Sequence, residues 1–149
     1  MNKKVLIIST SPRKNGNFET LADAFLQEAT DGGNTVEKIS LYDKTIGFYK
    51  GCLACQKTKR CVIRDDADMI AQKMLTADVL VFATLIYDYE ISERMKTMLD
   101  RAINGPEGCI ERFPKAHLAG TVFAGGVAGV GEIDGHSALT KAYEMGKAV

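Results

Sequence analysis

A cluster of hydroxyl, amide and basic side chains in residues 9–17 has the residue types that bind a phosphate group. It follows the short apolar run 5–8, which predicts a strand buried in a parallel sheet, and it precedes apolar residues at helical spacing. A turn between a strand and a helix directs free backbone N–H groups and the positive helix end to one spot. Arg13 would add charge-assisted hydrogen bonds to a phosphate dianion. An ordinary turn with a helix cap has the same pattern, so these residues alone leave both interpretations open.

The glycine-rich phosphate motifs do not occur in this chain. Neither G-x-G-x-x-G nor G-x-x-x-x-G-K-[ST] is present, so the sequence has neither the dinucleotide fingerprint nor the P-loop. A phosphate site in residues 9–17 would therefore be built from side-chain hydroxyls, an arginine and backbone donors.

The string STSPRKNGNFETLA, residues 9–22, resembles the phosphate loop of the NADPH-dependent FMN reductase and flavodoxin-like flavoprotein family. That family typically carries S-x-S-P-R-x-x-G-N-T at this place. Phe18 stands where the family usually has Thr or Ser, which removes one hydroxyl but keeps a backbone N–H. The resemblance implies an FMN cofactor whose phosphate is bound by Ser9, Ser11, Arg13, Asn15, Asn17 and Phe18.

A second segment, ATLIYDYEISERMKTMLDR in residues 83–101, resembles the part of the same family that lines the flavin ring. Leu85 replaces the usual proline and Asp88 replaces a common aromatic residue. The resemblance implies backbone donors near the pyrimidine edge of the flavin and stacking by Tyr87 or Tyr89, between which the sequence does not choose. Asp88 near a reduced, anionic flavin would oppose reduction electrostatically. The implied ring contacts are Thr84, Leu85, Ile86, Tyr87 and Asp88.

A glycine-rich segment in residues 124–131 is the third predicted part of the site. Glycines allow the backbone to approach a flat ring closely, although a flexible turn has the same composition. The family resemblance favours a cofactor role for Gly125 and Gly126. We interpret His117 and His136 as surface or capping residues, and we predict no catalytic acid or base, because a flavin carries the chemistry itself.

Three of the four cysteines are close together in sequence, as C-x2-C-x5-C over Cys52, Cys55 and Cys61. Zinc and [4Fe–4S] sites normally take four such ligands. Iron–sulfur flavoproteins related to the resembled family carry C-x2-C-x2-C plus a further cysteine, whereas Thr58 occupies the third position here. The fourth cysteine, Cys109, is far away in sequence. We predict a structural loop without a metal, with metal or disulfide chemistry as the alternative.

Composition is that of an ordinary globular protein. The chain has 149 residues, 46% hydrophobic and 26% charged, with a formal net charge of zero, and we predict one domain over residues 1–149. Without a basic excess, no nucleic-acid or membrane partner is expected. No apolar run approaches the ~20 residues of a membrane helix, and no signal peptide is recognised, so a cytoplasmic location with reduced cysteines is expected.

The predicted elements alternate between strand and helix, which indicates a parallel sheet with helices on both faces. We expect an α/β, flavodoxin-like doubly wound sheet of order 2-1-3-4-(5), with the fifth strand missing or truncated, and with FMN at the carboxyl ends of the strands. The predicted strands span residues 4–8, 35–40, 79–83 and 119–124. The predicted helices span residues 17–30, 65–75, 92–103 and 137–146.

The function that the family resemblance implies is an FMN-dependent oxidoreductase. It would take electrons from NADH or NADPH and pass them through bound FMN to a small acceptor such as free flavin, a quinone or another electrophile. An electron-carrier flavoprotein without its own substrate and a degenerate, non-catalytic subunit are the alternatives. A homodimer is expected, because strand four would otherwise present an unpaired edge and exposed apolar loop residues would rim the pocket.

Overall fold

The strand that follows the N-terminus is the centre of the sheet. The computed structural model describes residues 2–58, 60–103 and 116–149. Strand β1 (Lys4–Ser9) pairs in parallel with β2 (Thr35–Ser40) on one side and with β3 (Val79–Ala83) on the other. Residues 5–9 are buried, as the continuous apolar run predicts for a strand covered on both faces. The order β2-β1-β3 confirms the predicted order of the first three strands.

Helices cover both faces of this sheet, which confirms the α/β fold. The described helices are α1 (Asn17–Asp31), α2 (Ala54–Thr58), α3 (Asp66–Thr76), α4 (Glu93–Ile103) and α5 (Ser137–Lys147). Helices α1 and α5 pack on one face with Val5 and Ile7, while α3 and α4 pack on the other face with Leu6 and Ile8. None of the described helices is long and apolar enough to cross a membrane.

The contact between α1 and α5 depends on a glycine. Gly146 is buried, and a Cβ there would overlap with the carbonyl oxygen of Phe25 on α1. His136 begins α5 as its N-cap, with Nδ1 accepting from Ala138 N at 3.0 Å. This contact confirms that His136 is a capping residue.

The predicted fourth strand is wrong. Residues 119–124 form no regular strand, and Gly120 lies against the side chain of Met145 on α5. Phe123 in this segment is 70% exposed. A strand forms only when a neighbour completes its hydrogen bonds, and no described strand does so here.

Strand β3 is consequently an edge of the described sheet. The apolar run of residues 79–83 predicts a strand buried on both faces, but its residues are only half-buried and Phe82 is 42% exposed. Residues 79–83 form a strand, as predicted, and the lack of a second neighbouring strand among the described residues explains its exposure.

Candidate functional site

Two polar loops follow the carboxyl ends of β1 and β3 and meet there. The backbone N–H of Thr10, directly after β1, donates to the carbonyl oxygen of Ala83 at 3.0 Å. Its hydroxyl donates to Thr84 Oγ1 at 3.3 Å. The structure therefore brings the predicted phosphate loop next to the predicted ring-binding segment, at the sheet edge where ligands bind in such folds.

The phosphate loop, residues 9–17, is folded by its own hydroxyl groups. The buried Ser9 Oγ accepts from Ser11 N at 3.3 Å, and Ser11 Oγ donates to the carbonyl oxygen of Arg13 at 3.0 Å. That oxygen also accepts from Gly16 N at 3.3 Å. Asn15 adopts a left-handed conformation, with φ of 58°, which asparagine tolerates better than most residues. These contacts turn the chain sharply into α1.

Helix α1 begins without a side-chain cap. Gly16 occupies the N-cap position and supplies no side-chain hydrogen bond, so first-turn N–H groups such as that of Phe18 point out of the helix end. Arg13 and Lys14 are exposed beside this end. An uncapped helix N-terminus next to two cations is a favourable place for a phosphate.

The acidic residue in the first turn of α1 is neutralised by a neighbour. The ammonium group of Lys38 on β2 pairs with Glu19 and also with Asp23. Burial opposes the charged form of Lys38, but these two carboxylates raise its pKa above the usual value. The helix end therefore keeps its attraction for an anion.

Asn17 joins the phosphate loop to the glycine-rich segment. Its Nδ2 donates to the carbonyl oxygen of Gly129 at 2.7 Å, and its Oδ1 accepts from Gly131 N at 3.1 Å and Ile133 N at 3.3 Å. The Asn17 side chain, which we predicted to bind phosphate, is thus hydrogen-bonded to residues 129–133 instead. The backbone N–H of Asn17 remains at the start of α1. These contacts span more than a hundred residues of sequence, so no local pattern could have shown them.

The glycine-rich segment also folds on itself. The carboxylate of Glu132 accepts from the backbone N–H groups of Ala128 and Gly129, and these two hydrogen bonds lower its pKa. Gly125 and Gly126, the two predicted contacts, are exposed, and Gly126 has a φ of 77°. Within the described residues, the hydrogen bonds to the phosphate loop come from residues 129–133 instead.

The ring-binding segment forms a hairpin that the sequence did not predict. Strand β4 (Ile86–Tyr87) pairs antiparallel with β5 (Glu90–Ile91). Asp88 and Tyr89 form the two-residue turn, with φ values of 47° and 67°, as a type I′ turn requires. Leu85 is half-buried at the base of the hairpin, whereas Ile86 and Tyr87 are about half exposed. The Tyr89 side chain is fully exposed at the tip.

A buried ion pair between Asp65 and Arg101 was missed by the sequence reasoning. The two guanidinium nitrogens of Arg101 donate to the carboxylate at 2.7 and 3.0 Å, and the side chains are 2% and 7% exposed for Arg101 and Asp65. Burial disfavours the charged carboxylate, but Arg101 and the N–H groups of Gly47 and Ala67 lower the pKa of Asp65. Asp65 is also the N-cap of α3. The sequence signal for Asp65 was its position before an acidic first helical turn, which indicates an N-cap. Its ion-pair partner, Arg101, lies 36 residues away and has no local signal.

Arg101 also reaches the cysteine loop. Its Nη1 donates to Gly47 O at 2.9 Å, and its Nη2 lies 3.4 Å from Cys61 Sγ. The cysteines at positions 52, 55 and 61 all line a cavity of about 750 Å³ together with Arg101. Cys52 is exposed, Cys55 is buried and Cys61 is half-buried. The ion pair therefore holds the long loop between β2 and α3 against α4.

The curated proteins that this chain resembles include iron–sulfur flavoproteins of archaea. It is 35% identical over 100 residues to an iron–sulfur flavoprotein of Archaeoglobus fulgidus, covering 67% of this chain and 46% of that protein. It is 33% identical over 100 residues to the iron–sulfur flavoprotein of Methanosarcina thermophila, covering 67% and 52%. The chain thus spans about half the length of these relatives.

Solved structures show the same fold. The NAD(P)H:quinone oxidoreductase from Methanothermobacter marburgensis matches with a TM-score of 0.60 at 16% identity, covering 71% of this chain and 56% of that one. A flavone reductase matches with a TM-score of 0.52 at 30% identity, covering 66% and 29%.

The cysteine loop, residues 52–61, supplies fewer thiolates than the iron–sulfur cluster that the names of these relatives imply would take. Among the described residues, no group of three or more Cys, His, Asp or Glu side chains is arranged to hold a metal. Thr58 stands at the third motif position, and its hydroxyl is engaged with the carbonyl oxygens of Ala54 and Arg60 at 3.2 and 2.7 Å. A cluster takes four thiolates, and this loop supplies three. Cys109 lies outside the described residues.

We therefore expect the purified chain to contain no stoichiometric iron or zinc. The measurement is elemental analysis by plasma mass spectrometry, after purification without chelators, with the Cys55→Ser variant as the matched control. Stoichiometric metal that is lost in Cys55→Ser would contradict this prediction.

The sequence motifs, the fold and the comparisons agree on a family. The model of the family described as NADPH-dependent FMN reductase matches residues 3–147, which is nearly the whole chain. The uncapped end of α1, the phosphate loop and the hairpin lie where a flavodoxin-like fold binds FMN. The chain therefore belongs to the NADPH-dependent FMN reductase family of flavodoxin-like flavoproteins.

Proposed function

We propose that this chain is an FMN-dependent oxidoreductase that takes electrons from NADH or NADPH and passes them to a small acceptor. The observation that carries the proposal is the meeting of the phosphate loop, the uncapped start of α1 and the β4–β5 hairpin at one sheet edge. Bound FMN would supply the redox chemistry, namely acceptance of a hydride and its release to the acceptor as electrons and a proton.

The protein would bind and orient the flavin rather than react with it. Arg13 and the first-turn N–H groups of α1 would hold the phosphate, since Arg13 is exposed and the start of the helix has no side-chain cap. Ser9 and Ser11 would shape the loop around it. These contacts fit a phosphate monoester, because they combine positive charge with several donors.

The hairpin would hold the ring of the flavin. Backbone groups of Leu85, Ile86 and Tyr87 would face its pyrimidine edge, and Tyr87 or Tyr89 would stack on it. The half-exposed Ile86 and Tyr87 give the hairpin an apolar surface. Gly125 and Gly126 would complete the pocket. No side chain is assigned as an acid or a base.

A homodimer in the cytoplasm is part of this proposal. The edge that β3 forms in the described sheet and the exposed hairpin offer a surface that a second copy would cover. The acceptor would be a small molecule, of the class that includes flavins, quinones and other electrophiles.

Anaerobic reduction of the reconstituted protein tests the function. The chain is mixed with FMN, desalted and titrated with NADH or NADPH, while the visible flavin absorbance is followed. We expect flavin to be retained, to be bleached by one of the nucleotides and to be reoxidised by added quinone through many turnovers.

Two results would overturn the proposal in different ways. A protein that retains FMN and is reduced by dithionite, but by neither nucleotide, would be an electron carrier. A folded protein that retains no FMN would be a non-catalytic subunit.

A further inference from the structure

The Thr84 hydroxyl lies at the centre of a small hydrogen-bond network at the base of the hairpin. Thr10 Oγ1 donates to it at 3.3 Å and Ser92 N donates to it at 3.2 Å. Its single proton faces Leu85 O at 3.0 Å and Ser92 Oγ at 3.1 Å. A hydroxyl offers one proton and two lone pairs, so these neighbours use its whole capacity.

The network joins three elements that carry the site. Thr10 follows β1, Thr84 follows β3, and Ser92 precedes α4, where its Oγ accepts from Met95 N at 3.4 Å. Thr10 and Ser92 are buried, with 2% and 4% exposure. The Thr84 hydroxyl is itself half-buried, and its removal is costly because the buried hydroxyls of Thr10 and Ser92 then lose a partner that water does not easily replace.

The same network closes the hairpin at its base. Ser92 N donates to Leu85 O at 3.0 Å as well as to Thr84 Oγ1. These two hydrogen bonds join the beginning and the end of the segment 85–91 next to Thr84. The hairpin itself has only two short strands, and its turn residues hold positive φ without glycine. Such a hairpin is marginal alone and needs this attachment to keep one orientation.

We infer that Thr84 is a positioning residue that fixes the hairpin against the phosphate loop, and that its hydroxyl does not bind the cofactor. The inference rests on the proposed FMN site. Without the hydroxyl the hairpin samples more orientations, and flavin binding must then select one of them. Loss of Thr84 therefore weakens binding of the flavin ring system, with or without a phosphate.

The test uses Thr84→Val, which keeps the shape of the side chain and removes the hydroxyl. Thr84→Ser keeps the hydroxyl, and Thr76→Val is a matched control, because Thr76 ends α3 before the opposite end of β3 and bonds only within its own helix. We expect Thr84→Val to bind FMN and riboflavin about tenfold more weakly, by the same factor for both. Thr84→Ser and Thr76→Val should stay within about twofold of the wild type.

Hydrogen exchange of the flavin-free proteins supplies a second readout. We expect the backbone amides of residues 85–92 to exchange faster in Thr84→Val than in the wild type and in Thr84→Ser, while those of β1 are unchanged. If Thr84→Val does not fold, Thr10→Val replaces it, because that change removes only the 3.3 Å contact. If the wild type binds no flavin, the proposed function is wrong. The hydrogen exchange of residues 85–92 would still test whether Thr84 positions the hairpin.

Three results would overturn the inference. Weaker FMN binding with unchanged riboflavin binding would make Thr84 a phosphate ligand. Weaker binding of both ligands with unchanged exchange would make it a direct ring ligand. Unchanged exchange and unchanged affinity would leave it without a positioning role.

Discussion

Replacing Arg101 by methionine is expected to lower the free energy of unfolding by about 3–5 kcal/mol, the usual cost of breaking a buried ion pair. Methionine fills a similar length but leaves the Asp65 carboxylate buried, with the N–H groups of Gly47 and Ala67 as its remaining partners among the described residues. The same change removes the hydrogen bonds that Arg101 donates to Gly47 O and Ile63 O. Urea unfolding followed by circular dichroism measures the loss.

A matched control lies on the same helix. Arg94 on α4 is exposed, contacts the ring of Tyr42 and donates to Leu41 O at 3.3 Å, so Arg94→Met should cost at most about 1 kcal/mol. The double variant Asp65→Asn with Arg101→Met should recover part of the loss, since it buries no unpaired charge. A loss below about 1 kcal/mol for Arg101→Met alone would show that the pair contributes little.

The pH dependence of this loss has a definite sign. The folded pKa of Asp65 is lowered, so its contribution is fully present above the ordinary aspartate pKa of about 3.9 and is lost as pH falls through the folded value. The stability difference between wild type and Arg101→Met should therefore shrink on acidification, because protonation of Asp65 removes both the ion pair of the wild type and the unpaired buried charge of the variant. A difference that grows on acidification would contradict this assignment.

Local patterns predicted most of the fold, and long-range contacts account for the errors. The strands at residues 4–9, 35–40 and 79–83 and the four longer helices follow from apolar runs and helical spacing, and their bounds differ from the prediction by at most about one residue. The segment 119–124 has a similar composition but no strand beside it in the described part of the chain, and strand formation depends on pairing. The five-residue α2 is too short to show a helical period.

The candidate site shows the same contrast between features that local patterns predict and features that depend on long-range contacts. The phosphate loop could be predicted from sequence because its residues are contiguous and resemble a family motif, whereas their types alone also allow an ordinary turn with a helix cap. The role of Asn17 could not, because its partners are residues 129–133, and neither could the role of Thr84, whose partners are Thr10 and Ser92. In both cases the residue type indicated a polar contact, and only the fold shows which group takes it.

Arg13→Ala is expected to weaken FMN binding by about 1.5–3 kcal/mol, the range for a hydrogen bond to a charged group. Arg13 is exposed beside the uncapped start of α1, so its guanidinium is available to a phosphate and its loss should leave the fold intact. Riboflavin lacks the phosphate and should bind equally well to the wild type and the variant. Fluorescence titration of both ligands measures the two affinities.

Two further variants distinguish a directed hydrogen bond from Arg13 to the phosphate from the general effect of positive charge near it. Arg13→Lys keeps the charge but loses the planar pair of donors, so it should fall between the wild type and Arg13→Ala. Lys14→Ala removes the neighbouring exposed cation and should have a smaller effect, which fades with added salt. Equal losses for FMN and riboflavin in Arg13→Ala would remove Arg13 from the phosphate site. Equal losses for Arg13→Ala and Lys14→Ala, both abolished by salt, would leave only a diffuse electrostatic role, and the phosphate would then be held by the helix end alone.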